Sequence, residues 1–299
     1  MMDLSAADLN QLIDTALQHL EDENSHGDAN HPALPNPGRE ALAELQLNRA
    51  DTATLTAAID LCRNTNSRCR QLGAAILGQL GHSRGNSPYG VFREERYRAL
   101  HDTLRTEIAT TANPGVLNEV CIALSHLKDH RAIGIVLELI DHPNADVRTG
   151  VVMALTCHQD EAAVSGLIRL SSDRDTDVRD LATFALALQI DVDTAPIRSA
   201  LHARLDDIEP DVRNEAIEGL ARRHDRTVLP YLVRELQEQV SDPLFSAARE
   251  FADPSLCPAL MNAGRIVFGL KEDGHRLANY LEGCWRKAVA ACGCRFDNP

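Results

Sequence analysis

Three groups of side chains in this 299-residue chain have the types and spacing that chemistry asks for. Asp173, Asp175 and Asp177 alternate as the first ligands of a calcium loop do. The glycine such a loop needs at its sixth position is replaced by Val178, and no glutamate closes the twelfth. The same acids stand where a helix begins, so their spacing reads as capping rather than coordination. Cys284, Cys292 and Cys294, with His275 nearby, form a zinc-like donor set, but no Cys-x-x-Cys pair occurs and Cys-Gly-Cys is poor spacing for structural zinc. These and the other cysteines (62, 69, 121, 157 and 257) read as reduced, small core residues. His26 and His31 flank a Pro- and Gly-rich stretch and are too far apart to share a metal. Phosphate loops, nucleophile elbows and His-Glu-x-x-His are absent. The expectation is a protein with no metal, no cofactor and no catalytic residue.

The elements that carry these residues repeat. A loop with Asp-Val-Arg, or a relic of it, opens an apolar helix, and a second helix follows after a short turn. The Arg position falls at Arg148, Arg179 and Arg213, with weaker copies at Arg70, Leu117 and Leu244, so successive anchors are 47, 31, 31, 34 and 31 residues apart. Seven residues beyond each anchor stand Leu77, Leu124, Leu155, Leu186, Leu220 and Phe251. Three beyond stand Gly73, Val120, Val151, Ala182, Ala216 and Ala247, on the same helical face. The second helix opens on an Asp suited to capping, at Asp129, Asp225 and Asp253. A period in this range predicts an all-α solenoid of stacked antiparallel helix pairs.

The Asp-Val-Arg opening, the Leu seven residues on and the Asp-x-x-x-Leu-Pro-x-Leu second helix resemble HEAT repeats over 113–262. The pattern is that of the short bacterial type known from phycobilisome lyases. That resemblance implies a hydrogen-bonded ladder between neighbouring repeats made by Asp146, Arg148, Asp177, Arg179, Asp211 and Arg213. It also implies that the second helices line a concave face. With Ile133, Val136 and Ile140 in the core, the open positions are Arg131, Ile135 and Glu138, then Arg169, His202, Tyr231, Arg234 and Glu238. Tyr231 and Arg234 are the expected anchors, since Tyr and Arg carry interface energy most often. Enzymes of related architecture use paired His-Glu motifs or a basic, aromatic-rich groove. No His-Glu dipeptide occurs here, and aromatics are 4% of the chain.

Along the chain, residues 1–62 form an acidic helical segment with a linker at 23–38, and 63–112 a degenerate first repeat with an insertion at 82–90. Residues 113–262 hold the regular repeats. In 263–299 the pattern lapses between Gly264 and Gly274, and a last helix over 275–291 carries Trp285 as a cap. Net charge is −14, with 11 acids against Arg39 and Arg49 in residues 1–60 and −11 over 111–262. Such a balance disfavours nucleic acid and steers a basic partner. No run of 18 apolar residues exists and the first residues are acidic, so the reading is cytoplasmic, with no membrane contact. The function expected is a non-enzymatic scaffold, adaptor or inhibitor that binds another protein with a basic surface on its concave face. One version is a bacterial immunity protein that neutralises a toxin. The alternative is a phycobilin-lyase-like or chaperone-like subunit acting on a modified protein.

Overall fold

A helix pair cannot bury its apolar stripes alone, so the pairs in this chain stack. The computed structural model describes residues 8–22, 36–82, 90–110 and 113–295, and every regular element among them is helical. The helices gather into two compact units, Met1–His158 and Gln159–Pro299.

The first unit holds α1 (Leu9–Asp22), α2 (Pro37–Ala43, continued by a π turn over Glu44–Asn48), α3 (Thr52–Cys62) and α4 (Ser67–Gln79). After these come α5 (Arg93–Ala109), α6 (Pro114–Leu127), α7 (Ile133–Leu137) and α8 (Ala145–Thr156). Helices α4, α6 and α8 pack side by side as one layer, and α3, α5 and α7 flank them. The second unit holds α9 (Glu161–Leu170), α10 (Thr176–Phe184), α11 (Ala195–His202) and α12 (Pro210–Arg222). It continues with α13 (Leu229–Glu238), α14 (Asp242–Phe251), α15 (Cys257–Glu272) and α16 (Ala278–Ala291). Here α10, α12, α14 and α16 form a first-helix layer, and α11 packs on α9 and α15 on α13 to form a second.

Local chemistry explains the turns. Asn113, Asn144 and Asp175 accept the amides of Val116, Val147 and Val178, three residues on, and so start α6, α8 and α10. The first helices α6, α12 and α14 each give way to a left-handed residue, Lys128, His224 and Ala252, with φ of 49°, 53° and 47°. Asp129, Asp225 and Asp253 follow at once and accept the amide two residues on, at 3.1, 3.1 and 2.9 Å. Each then opens a 3-10 turn that leads into the second helix. Leu77, Leu124, Leu155, Leu186 and Leu220 are buried, as their shared offset requires. Two wholly or largely buried guanidinium groups close helix ends. Arg96 donates to the carbonyls of Leu77, Gly78, Leu80 and Val91, and Arg223 to those of Leu186, Ala187, Ile190 and Gly219.

The expected lapse after Gly264 is corrected, since α15 runs unbroken through that residue to Glu272. Gly264 serves contact: a Cβ there would lie 2.6 Å from the Trp285 ring, which rests on the bare backbone. The final helix begins at Ala278 and buries Trp285. Residues 23–35 of the linker and 83–89 of the insertion lie outside the described residues, as do His26 and His31.

Candidate binding surface

The signature arginines come first, because they set the loops that frame the surface. Arg70, Arg148, Arg179 and Arg213 each donate Nη1 to the carbonyl six residues back, those of Asn64, His142, Asp173 and Asp207, at 2.7–2.9 Å. Arg70, Arg179 and Arg213 also grip a carboxylate further along the chain. Arg70 Nε donates to Glu107 at 2.6 Å; Arg179 forks onto Asp207 at 2.8 and 3.0 Å; Arg213 forks onto Glu235 at 3.0 and 3.1 Å. The ladder therefore differs from the expected one: Asp146, Asp177 and Asp211 are exposed. Each lies two positions before its Arg, about 200° around the helix, and so faces away from the side on which the guanidinium finds its partners.

In the first unit, Arg131 is exposed, as expected of an open position, and is also bound. It donates to Asp129 and to Glu94 at 2.8 Å each and lies 4.0 Å over the Tyr97 ring. Arg131's hydrogen bonds hold Asp129 down to about 2. Glu138 is exposed. Ile135 is not an open position: it is 6% exposed, because the core stripe is set differently from the expected one. Leu139 is buried while Ile140, expected in the core, is only half-buried. The buried face therefore takes in Ala132, Ile133, Ile135, Val136 and Leu139, and leaves Gly134 and Glu138 outward. The same unit has a concavity of about 480 Å³ between α3 and α5, lined by Ile59, Cys62, Arg63, Arg70, Asp102 and Glu107 among others.

In the second unit, α11 and α13 bring four of the expected residues to one surface. Arg234 donates to Asp206 at 3.0 Å, to the Leu205 carbonyl at 2.9 Å and to Glu235 at 3.2 Å. Its guanidinium stands 5.1 Å from the centroid of the half-buried Tyr231 ring. Beside it is a hollow of about 240 Å³ lined by Asp206, Asp207, Arg213, Arg234, Glu235 and Glu238. His202 Nε2 lies 2.9 Å from Asp225, which also accepts from Thr227 and Arg198. Arg169 is exposed on α9.

Three acids of this layer, Asp207, Asp225 and Glu235, are held in the charged form. Burial pushes Asp207 up, but the hydrogen bonds of Arg179 and the Glu209 amide outweigh it and leave it below the usual range. Burial likewise works against Asp225, yet bonds from Thr227 and His202 bring it to about 2. Glu235 is held below its ordinary value against burial by Arg213, Gln239 and Arg234. No group of three or more His, Cys, Asp or Glu side chains among the described residues is placed to hold a metal. Asp173 and Asp175 accept backbone amides at the start of α10.

The thiol reading needs one correction. Cys257 and Cys294 form a disulfide with Cα atoms 5.4 Å apart, a separation that suits the bond, while Cys284 and Cys292 remain free and buried.

Stacked helix pairs of this kind, joined by arginine-stapled loops, define a helical-repeat scaffold. HEAT repeats match residues 101–187 and 165–252, and the chain belongs to the HEAT-repeat family. It is 32% identical to Protein YibA of Escherichia coli strain K12 over 213 residues, covering 68% of this chain and 71% of that protein. The protein of the same name from Escherichia coli O157:H7 matches equally. An X-ray structure of Escherichia coli YibA superposes with a TM-score of 0.61 at 22% identity, over 94% of this chain and 98% of that one, which shows a shared fold.

Proposed function

We propose that the protein is a non-enzymatic binding scaffold that holds another protein against α11 and α13 of its second unit. The observation that carries this reading is the hollow beside Tyr231 and Arg234. Four acids and two arginines line it; Asp207 and Glu235 are taken up by arginines, while the exposed Asp206 and Glu238 leave carboxylate oxygens for a Lys or Arg side chain from the partner. Tyr231 supplies a half-buried aromatic wall, and Arg234, already fixed by three bonds, needs little further ordering to serve as an anchor. In its most concrete form the scaffold is an inhibitor of the immunity type that masks the basic surface of a toxin. The chain's net charge of −14 would speed the approach of such a partner at low salt.

A photo-crosslinking residue placed at position 231 identifies what docks there in the cell, and the affinity of that partner is then measured with purified variants. Tyr231→Ala is expected to weaken binding by about 2 kcal/mol, mostly through faster dissociation. Arg234→Glu is expected to weaken it too, and higher ionic strength to slow association. A partner whose affinity ignores both substitutions overturns the assignment.

A further inference from the structure

The disulfide sits where it can act on the last helix pair. Cys257 opens α15 and Cys294 lies just beyond α16, 37 residues later, so the bond closes a loop that contains both helices. Within that loop Trp285, the only tryptophan of the chain, donates Nε1 to the Leu260 carbonyl at 2.7 Å and meets the Phe268 ring edge-on at 5.4 Å. The two bonded cysteines are half-exposed and within reach of a small reductant. Their neighbour Cys292 is not: it is buried, and its Sγ points at the Ala248 carbonyl 3.4 Å away. Burial also pushes the Cys292 thiol up, and does the same to Cys62 and Cys121, which reach about 12. Thiolate reactivity at those three is correspondingly low.

We propose that Cys257 and Cys294 form a redox-operated clasp that sets how firmly α16 is held on α14 and α15. A dithiol reductant opens it: the reductant gives up two electrons and two protons and becomes a cyclic disulfide, while Cys257 and Cys294 each become a thiol. A low-molecular-weight disulfide closes it in two exchanges. The first cysteine thiolate attacks the reagent and expels one thiolate; the second attacks the mixed disulfide and expels the other. Open, α16 keeps its packing through Trp285 but loses the constraint on the unfolded chain that a loop of this length provides. The clasp rests on the disulfide and not on the Tyr231 assignment, and its test needs no partner.

The full chain, treated with glutathione disulfide, is unfolded in urea with Trp285 fluorescence as the readout, with and without dithiothreitol. Reduction is expected to lower the midpoint by roughly 1–2 M. Peptide mapping of the oxidised protein should show a Cys257–Cys294 linkage and six alkylatable thiols. Cys292→Ser should keep the full response to reductant, and the C257S/C294S double variant should unfold like the reduced protein under both conditions. An unchanged midpoint on reducing the wild type, eight alkylatable thiols after oxidation, or loss of the response in Cys292→Ser would each overturn the clasp. The wild-type comparison alone decides the matter should the double variant fail to fold.

Discussion

The two helix layers of the second unit carry acids in opposite states. Those around α11 and α13 are paired and held low: Asp207 by Arg179, Glu235 by Arg213, and Asp225 by Thr227 and His202. Asp180, Glu215 and Glu218 on α10 and α12 shift the other way. Burial raises Asp180, aided by Asp211 and Asp177, and raises Glu215 to about 8, aided by Glu218, Asp180, Asp211 and Asp242. One buried oxygen of Asp180 and one of Glu215 have no hydrogen-bond partner. Glu218 is raised by burial as well, against a bond to Ser246. The lesson is that net charge places no anion. The second-helix layer spends its carboxylates on structure, whereas the first-helix layer crowds them together and tolerates the repulsion.

The sharpest way to break this contrast is to remove a partner from the paired layer. Arg213→Ala leaves Glu235, 1% exposed, with only Gln239 and Arg234, and should destabilise the second unit by about 3 kcal/mol in urea unfolding. Arg179→Ala should cost on the order of 1–3 kcal/mol, because Asp207 keeps Arg204 and the Glu209 amide. No loss in either variant would mean that the arginines do not stabilise the loops.

In the crowded layer the sign reverses. Glu215 has a folded-state value above its unfolded one, so the folded chain holds a proton that the unfolded chain releases. Its contribution is most favourable at acidic pH and is lost as pH rises towards and through about 8. Glu215→Gln should therefore raise the melting temperature at pH 9 by roughly 5 °C and leave it little changed at pH 5. Burial lowers His82 and His126 of the first unit, which gives an opposite trend with pH. Comparing variant with wild type at each pH removes it. A wild-type advantage at pH 9 would contradict the crowding. Asp211→Asn, at an exposed position in the same row, should change stability by no more than about 0.5 kcal/mol. A loss of several times that size would restore Asp211 to the ladder.

The repeat and its buried face were legible because Leu124, Leu155, Leu186 and Leu220 share an offset from the anchor. The arginines stood out for the same reason, but their partners did not. Glu107, Asp207 and Glu235 lie 37, 28 and 22 residues beyond Arg70, Arg179 and Arg213, so no single period points to them. Backbone carbonyls, the other half of each staple, leave no trace in residue types. Nor do the left-handed residues Lys128, His224 and Ala252, which share a conformation and a place before the capping Asp but no side-chain type. Ile135 faces inward because Leu139 rather than Ile140 completes the core stripe, and two adjacent apolar residues give a sequence no way to choose between them. On the candidate surface Tyr231, Arg234 and Glu238 were recognisable from their offsets, whereas the hollow beside them depends on Asp206 and Asp207 from a loop with no pattern of its own. The disulfide joins cysteines at opposite ends of two helices, and no spacing motif announces it.

The double grip of the signature arginines has a consequence for how the array assembles. A contact six residues back closes a small loop, while one 22 to 37 residues ahead closes a loop several times longer, at an added entropic cost of about 1 kcal/mol or more. The near contact can thus form inside a single nascent repeat. It leaves the guanidinium fork already aimed when the next carboxylate arrives. A repeat that docks on a formed neighbour therefore meets a guanidinium already held by its own loop, which favours opening and closing of adjacent repeats together. Amide exchange should accordingly slow in steps along the second unit, with α12 and its neighbours opening together rather than helix by helix.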